Sequence, residues 1–162
     1  MINKNVLEAL KAQINQEFYS AYLYLSMSLK MEDVNYKGYA NWLFKQYQEE
    51  LDHAHQFIEY VQKRGEIVQM QDIKASAVDA SCPLDVAKKV LAHEESISAS
   101  INTLTEIARK ENDYATEIFL HQFISEQIEE EDAARDIVDR FTLAGDNIAA
   151  RYAIDNELNA RQ

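Results

Sequence analysis

Apolar residues recur every three or four positions along four long stretches of the chain. Leu10, Ile14, Ala21 and Leu25 form the first stripe, and Leu43, Tyr47, Ala54, Phe57 and Val61 the second. Ala87, Val90, Leu91, Ile97, Ile101 and Leu104 form the third, and Leu120, Ile124, Ala134, Ile137 and Phe141 the fourth. This period places each set on one face of an α-helix. It predicts helices from about Lys4 to Met31, Lys37 to Arg64, Pro83 to Lys110, and from the Glu111-Asn112-Asp113 turn to the neighbourhood of Leu143-Ala144-Gly145. Punctuation agrees: Asp33-Val34-Asn35 reads as a turn, Gly65 suits a helix C-terminus, and Pro83 suits a first helical turn. Asp146 is expected to cap a short fifth helix ending near Leu158. Three Gly and one Pro leave little to interrupt helices. The predicted fold is all-α, a four-helix bundle with a short C-terminal helix, formed by residues 1–162 as a single domain.

The stretch from Glu66 to Cys82 has no clear period, and connections this long are uncommon in compact domains unless they have a task. The helices are each roughly 40 Å long at about 1.5 Å per residue, a distance an extended linker covers at about 3.3 Å per residue. Such a crossover makes the second and third helices parallel, while each short turn joins an antiparallel pair.

Polar residues break every stripe near its middle. Glu17 falls in the gap of the first, Glu50 in the second with His53 three residues on, Glu94 in the third, and Gln127 with Glu130 in the fourth. Glu17 and Glu50 are 33 residues apart, and so are Glu94 and Gln127. Each half of the chain therefore supplies one lone acid and one i, i+3 pair, and two antiparallel hairpins bring them together in the core.

Clustered buried carboxylates repel one another or take up protons unless cations are bound. Carboxylates with one imidazole and no thiolate suit iron or manganese better than copper or structural zinc, and the acids suffice for two ions with a bridging carboxylate. The net charge of −12 fits a protein that handles cations and argues against nucleic acid. No apolar run is long enough to span a membrane, and the opening MINKNVLEAL has no signal-peptide core, so a soluble cytoplasmic protein is expected. The single cysteine, Cys82, has no partner in the chain for a disulfide or a thiolate metal site and reads as a bystander.

With Glu17, Glu50-Leu51-Asp52-His53, Glu94 and Gln127-Ile128-Glu129-Glu130 in place, the sequence resembles the bacterial non-haem ferritins over essentially its whole length. Two features separate it from the haem-containing bacterioferritins. The last helix carries Gln and Glu where those proteins have Glu and His, and Leu51 stands where their haem-ligating methionine would be. The resemblance implies a single ferritin-like domain and an intra-subunit di-iron ferroxidase centre. Glu17, Glu50 and His53 would hold one iron, and Glu50, Glu94 and Glu130 the other, with Gln127 a hydrogen-bonding neighbour. It implies a third iron site at Glu49, Glu126, Glu129 and Glu130, and a redox role for Tyr24 beside the centre. It also implies oxidation of iron(II) by oxygen, no haem, and storage of iron(III) mineral inside a homo-oligomeric shell of about 24 subunits.

Plainer readings apply elsewhere. Asp52, Glu131 and Asp132 read as solvated helix face, and Glu49 and Glu129 become ligands only through the resemblance. His55, His93 and His121 read as surface or interface histidines, Met27 and Met31 as ordinary core or interface residues, and Trp42 as a packing anchor. The acids Glu111, Asp113 and Glu117 read as solvated surface. A purely structural bundle leaves four inward polar groups at matched depth unexplained. A rubrerythrin-like di-iron peroxidase is the main rival function, although that family commonly adds a Cys-x-x-Cys iron domain. A miniature DNA-protecting ferritin fits less well, because those build the centre across a subunit interface and lack the fifth helix.

Overall fold

The computed structural model describes residues 1–74, 78–80 and 82–161. It contains α1 (Lys4–Asp33), α2 (Lys37–Lys63), α3 (Pro83–Lys110), α4 (Tyr114–Ala144) and α5 (Ile148–Leu158). The crossover is described except at positions 75–77 and 81, so the part of the predicted 66–82 linker at those positions lies outside the described residues.

Local chemistry sets the boundaries. The Asn3 side chain accepts from Asn5 N at 2.8 Å and that of Asp113 from Thr116 N at 3.2 Å, each satisfying an otherwise unpaired amide of a first turn. Pro83 opens α3, where a missing N–H costs nothing. Both short hairpin loops turn on an asparagine with positive φ, Asn35 at 64° and Asn112 at 57°, a conformation Asn tolerates better than most residues. One boundary expectation needs correction. Asn147, not Asp146, caps α5 by accepting from Ala150 N at 3.0 Å, while Asp146 pairs with Arg151 at 3.1 Å. Both are good capping residues, and the backbone entering the helix puts only Asn147 within reach.

The core divides into two apolar clusters, and their membership gives the topology. One cluster holds Val6, Leu10 and Ile14 of α1, Phe57 and Val61 of α2, Ile97, Ile101 and Leu104 of α3, and Leu120 and Phe123 of α4. The other holds Tyr24, Met27 and Met31 of α1, Tyr39 and Leu43 of α2, Val86 and Val90 of α3, and Ala134, Ile137 and Phe141 of α4. Read along the chain, α1 and α4 run from the first cluster to the second, and α2 and α3 run the opposite way. Helices α2 and α3 are therefore parallel, as the long connection required. The linker makes the same journey, with Val68 packed against the first cluster and Val78 and Ala80 against the second. Met27, Met31 and Trp42 are core residues, as expected.

Helix α5 folds back onto the start of α2. The N-cap residue of α2, Tyr36, makes no side-chain cap; instead the buried Asp155 accepts from Gly38 N at 3.1 Å and Tyr39 N at 2.8 Å. A carboxylate at a helix N-terminus also complements the helix dipole. The approach is close enough that a Cβ on Gly38 would lie 1.8 Å from the Asp155 carbonyl oxygen. Tyr36 and Tyr152 stack with centroids 5.2 Å apart, completing the joint. Among the described residues no helix is long and apolar enough to cross a membrane.

Candidate metal centre

Between the two apolar clusters lies a belt of polar side chains, one group from each long helix. Glu17, Glu50, His53, Glu94 and Gln127 are all buried, and Glu130 is partly so. Helical periodicity alone places them there, because each occupies a position on its helix that would otherwise be apolar.

Glu17, Glu50 and His53 each offer a ligand atom within 4.8 Å of the others. His53 Nδ1 lies 3.5 Å from Glu50 Oε2, and its Nε2 lies 3.3 Å from Glu126 Oε2. Glu17 Oε2, Glu50 Oε2 and Glu126 Oε2 are buried with no hydrogen-bond partner. Native interiors rarely leave carboxylate oxygens in this state, and unpaired oxygens facing one imidazole make a donor set for a divalent cation.

Glu94 is held differently. Tyr24 donates its hydroxyl hydrogen to Glu94 Oε1, and Gln127 Nε2 donates to Glu94 Oε2 at 3.0 Å. Both oxygens of Glu94 are thus occupied, and Gln127 is a hydrogen-bonding neighbour of the acid. Glu130 accepts from Gln46 Nε2 at 2.8 Å.

The electrostatics follow from crowding acids in a dry place. Burial pushes the Glu17 carboxyl well above the usual carboxylate range, and the charge of Glu50 adds to it. Glu50 is raised in the same way by burial and then by Glu94. Glu94 is raised by burial, against the lowering effect of its bonds from Tyr24 and Gln127. Glu130 is pushed up to about 7 by burial and by the charges of Glu49 and Glu94. Without a cation, protons must neutralise part of the belt; a bound cation would replace them.

The four acids expected at a third site are spread among other partners. Glu49 Oε2 takes a hydrogen bond from Arg161 at 2.8 Å, Glu126 faces His53, and Glu130 is bonded to Gln46. Glu129 is exposed and lines an open groove between α3 and α4, with a volume near 390 Å³, beside Gln127, Glu131 and Asp132. Among the described residues, the compact group of ligand atoms is that of Glu17, Glu50 and His53.

His93 corrects the sequence reading: it is buried, not a surface or interface residue. Its Nε2 lies 2.8 Å from Ser20 Oγ, whose single hydrogen is donated to the Gln16 carbonyl at 3.0 Å, so the imidazole is the donor. Burial lowers its pKa to about 4, leaving a neutral ring packed edge-on to Tyr24. His55 and His121 are exposed, as are Asp52 and Asp132, but Glu131 is half-buried and accepts from Ser98.

Three site neighbours escaped the sequence reading. Gln13 donates to Glu17 Oε1 at 2.7 Å, Gln46 bonds Glu130, and Arg161 bonds both Gln46 and Glu49. A signal for two of them was present. Gln13 precedes Glu17 by four residues, Gln46 precedes Glu50 by four, and the two glutamines are again 33 apart.

Known proteins share this architecture. Residues 7–144 match the family described as a Ferritin-like domain. A bacterial non-heme ferritin of Bacteroides fragilis is 40% identical over 161 residues, covering 99% of this chain and 100% of the relative. One from Staphylococcus aureus is 35% identical over 161 residues, covering 99% and 97%. The solved open-pore ferritin of the archaeon Archaeoglobus fulgidus superimposes with a TM-score of 0.98 at 40% identity, covering 100% of this chain and 99% of that one. With helix order, polar belt and full-length similarity in agreement, the chain belongs to the ferritin family.

Proposed function

We propose that residues 1–162 act as one ferritin-like unit in the cytoplasm, oxidising iron(II) with oxygen inside the bundle. The iron(III) product would be stored as mineral within a hollow shell of identical subunits, about 24 by family resemblance. The observation that carries this reading is the pair of unpartnered, buried oxygens, Glu17 Oε2 and Glu50 Oε2, beside His53. Glu17, Glu50 and His53 hold the first iron. Glu50, Glu94 and Glu130 hold the second, with Glu50 bridging and Gln127 steadying Glu94. Glu49, Glu126, Glu129 and Glu130 provide a third position through which iron joins or leaves the pair. Iron is substrate and cargo here, and no haem takes part.

The reaction balances as a pair of one-electron oxidations. Two iron(II) ions give one electron each to the same oxygen molecule, which takes two protons and leaves as hydrogen peroxide with two iron(III). Hard carboxylate oxygens favour iron(III) over iron(II), so the donor set itself drives the oxidation. The protons held by Glu17, Glu50 and Glu130 are displaced as iron arrives. Tyr24, bonded to Glu94, lies beside the centre, which supports the redox role that the family resemblance implies for it. The charge of −12 per chain draws cations toward the assembly. Storage is preferred to a rubrerythrin-like peroxidase because relatives matched over nearly their whole length are named ferritins.

The test is anaerobic iron(II) loading of the metal-free protein, then a pulse of oxygen, with iron(III) and oxygen counted for the parent and a Glu50→Ala/His53→Ala variant. The parent is expected to show a fast phase consuming about two irons per oxygen, then to keep far more iron soluble than its centres hold. The variant should lack the fast phase. Identical behaviour of the two proteins would refute the assignment.

A further inference from the structure

Arg161, three residues beyond α5, places a permanent positive charge at the outer edge of the polar belt. Its guanidinium bonds Glu49 Oε2 at 2.8 Å and the side-chain oxygen of Gln46, and its Cζ lies 4.9 Å from the centroid of the Trp42 ring. Gln46 passes the contact inward by donating to Glu130 at 2.8 Å. The arginine is 28% exposed, less than the 41% of Glu49. Three different partners on one guanidinium make a built seat, one that a flexible surface arginine would not have. The tail reaches it because α5 is anchored on α2 by Asp155.

A cation already sits, therefore, on Glu49, one of the acids that would receive the third iron, and reaches a second, Glu130, through Gln46. We propose that Arg161 is a tethered counter-ion that occupies the Glu49–Glu130 side of the centre in the metal-free protein and is displaced when a third metal ion binds. This rests on the metal-centre reading above and concerns the regulation of that site. A guanidinium cannot ligate a metal and carries the same sign of charge, so an iron ion arriving at Glu49 is repelled by Arg161 and competes with its bond to Oε2. The tail thus lowers the apparent affinity of the outer position by the fraction of time it is undocked, while the Glu17–Glu50–His53 group is untouched. A seat occupied about nine-tenths of the time weakens outer binding about tenfold. The consequence is an order of filling: the inner pair loads first, and the outer position fills only at higher iron.

The chain's one tryptophan, Trp42, reports directly on the seat. Zinc(II), which undergoes no redox chemistry, is titrated into the metal-free protein, with heat and Trp42 emission followed together for the parent, Arg161→Ala, Arg161→Lys and Glu50→Ala/His53→Ala. In the parent, emission should stay flat through the tight events and change with the last, weaker one. In Arg161→Ala that last event should tighten about tenfold with no accompanying emission change, the tight events staying where they were. Arg161→Lys, which keeps the charge but lacks the planar fork that reaches Gln46 and Glu49 while stacking on Trp42, should fall between. Parent emission that stays flat throughout, or a last event identical in parent and Arg161→Ala, overturns the proposal and leaves the inner centre intact. Parent binding that does not depend on Glu50 and His53 removes the metal-centre reading, and this proposal with it.

Discussion

Replacing Glu130 by Gln should make the metal-free protein more stable, even though it damages the proposed metal centre. The Glu130 carboxyl is raised from an ordinary 4.5 to about 7, by burial first and then by the charges of Glu49 and Glu94. A folded-state pKa above the unfolded one means that the native protein binds more protons between these values. Stability is then full below about 4.5 and falls as pH rises through about 7. At about 1.36 kcal/mol per pH unit, the displacement corresponds to on the order of 3 kcal/mol. Glu130 is only partly buried, so solvent screens some of this, and about 1–3 kcal/mol is expected. Gln at 130 keeps an oxygen for the Gln46 amide and carries no charge to desolvate. In chelator at pH 8, Glu130→Gln should therefore unfold roughly 3–10 °C above the parent. At pH 5, where the parent carboxyl is protonated, the gap should close. Excess zinc should reverse the order at pH 8, because only the parent gains the full ligand set. A variant no more stable than the parent in chelator at pH 8, or a gain unchanged at pH 5, would refute this account of the belt.

Three further outcomes follow from the same geometry. Zinc added to the metal-free protein should release protons, and more at pH 6.5 than at pH 8.5, because the Glu130 carboxyl is pushed up to about 7; an indicator dye reads the release, and equal release at the two pH values contradicts the protonation of Glu130. Gly38→Ala should destabilise by about 1–3 kcal/mol, since a methyl group there meets the Asp155 carbonyl oxygen at 1.8 Å; hydrogen exchange should quicken across α5 first, and unchanged protection there would mean that α5 is not seated through this contact. Tyr24→Phe removes the donor to Glu94 Oε1; the fast phase of iron oxidation should slow several-fold while zinc stoichiometry is kept, whereas a loss of bound zinc would make Tyr24 structural for the site.

The helices were legible because a 3.6-residue period over 25 or more positions overwhelms local noise, and the linker was legible because its length had to be explained. The inward acids stood out as charges on apolar stripes. What failed to stand out was whatever lacked that contrast. Gln13 and Gln46 are neutral, so their repeat four residues ahead of the acids carries no charge contrast with ordinary helix surface. His93 follows Val86 and Val90 on the buried stripe of α3, but no acid stands three or four residues from it, and its partner is a serine on another helix. Asp146 and Asn147 are both sound caps, and choosing between them takes the backbone path. Arg161 was out of reach of pattern reading altogether. Its seat on Trp42, Gln46 and Glu49 depends on α5 folding back, which depends in turn on Asp155 meeting bare amides at the start of α2.

The two halves of the chain repeat, but the belt they form is not symmetric, and the asymmetry has chemical content. On the Glu17–Glu50 side, Gln13 and His53 leave two buried carboxylate oxygens unbonded. On the Glu94 side, Tyr24 and Gln127 satisfy both oxygens of the acid, and Gln46 holds Glu130. A first cation meets unpaired acceptors and a neutralisable pair of acids. In the proposed centre, a second would have to displace hydrogen bonds that already compensate their acid, and a third would in addition have to displace a guanidinium. On the proposed assignment, affinity would therefore decline outward along one direction through the bundle, from α1 and α2 toward the α2–α4 edge where the tail lies. The uncompensated burial is greatest at Glu17 and Glu50, where both carboxyls are raised well above the usual range and each keeps an unpartnered oxygen, so the position that costs the metal-free fold most is the one a cation would relieve most.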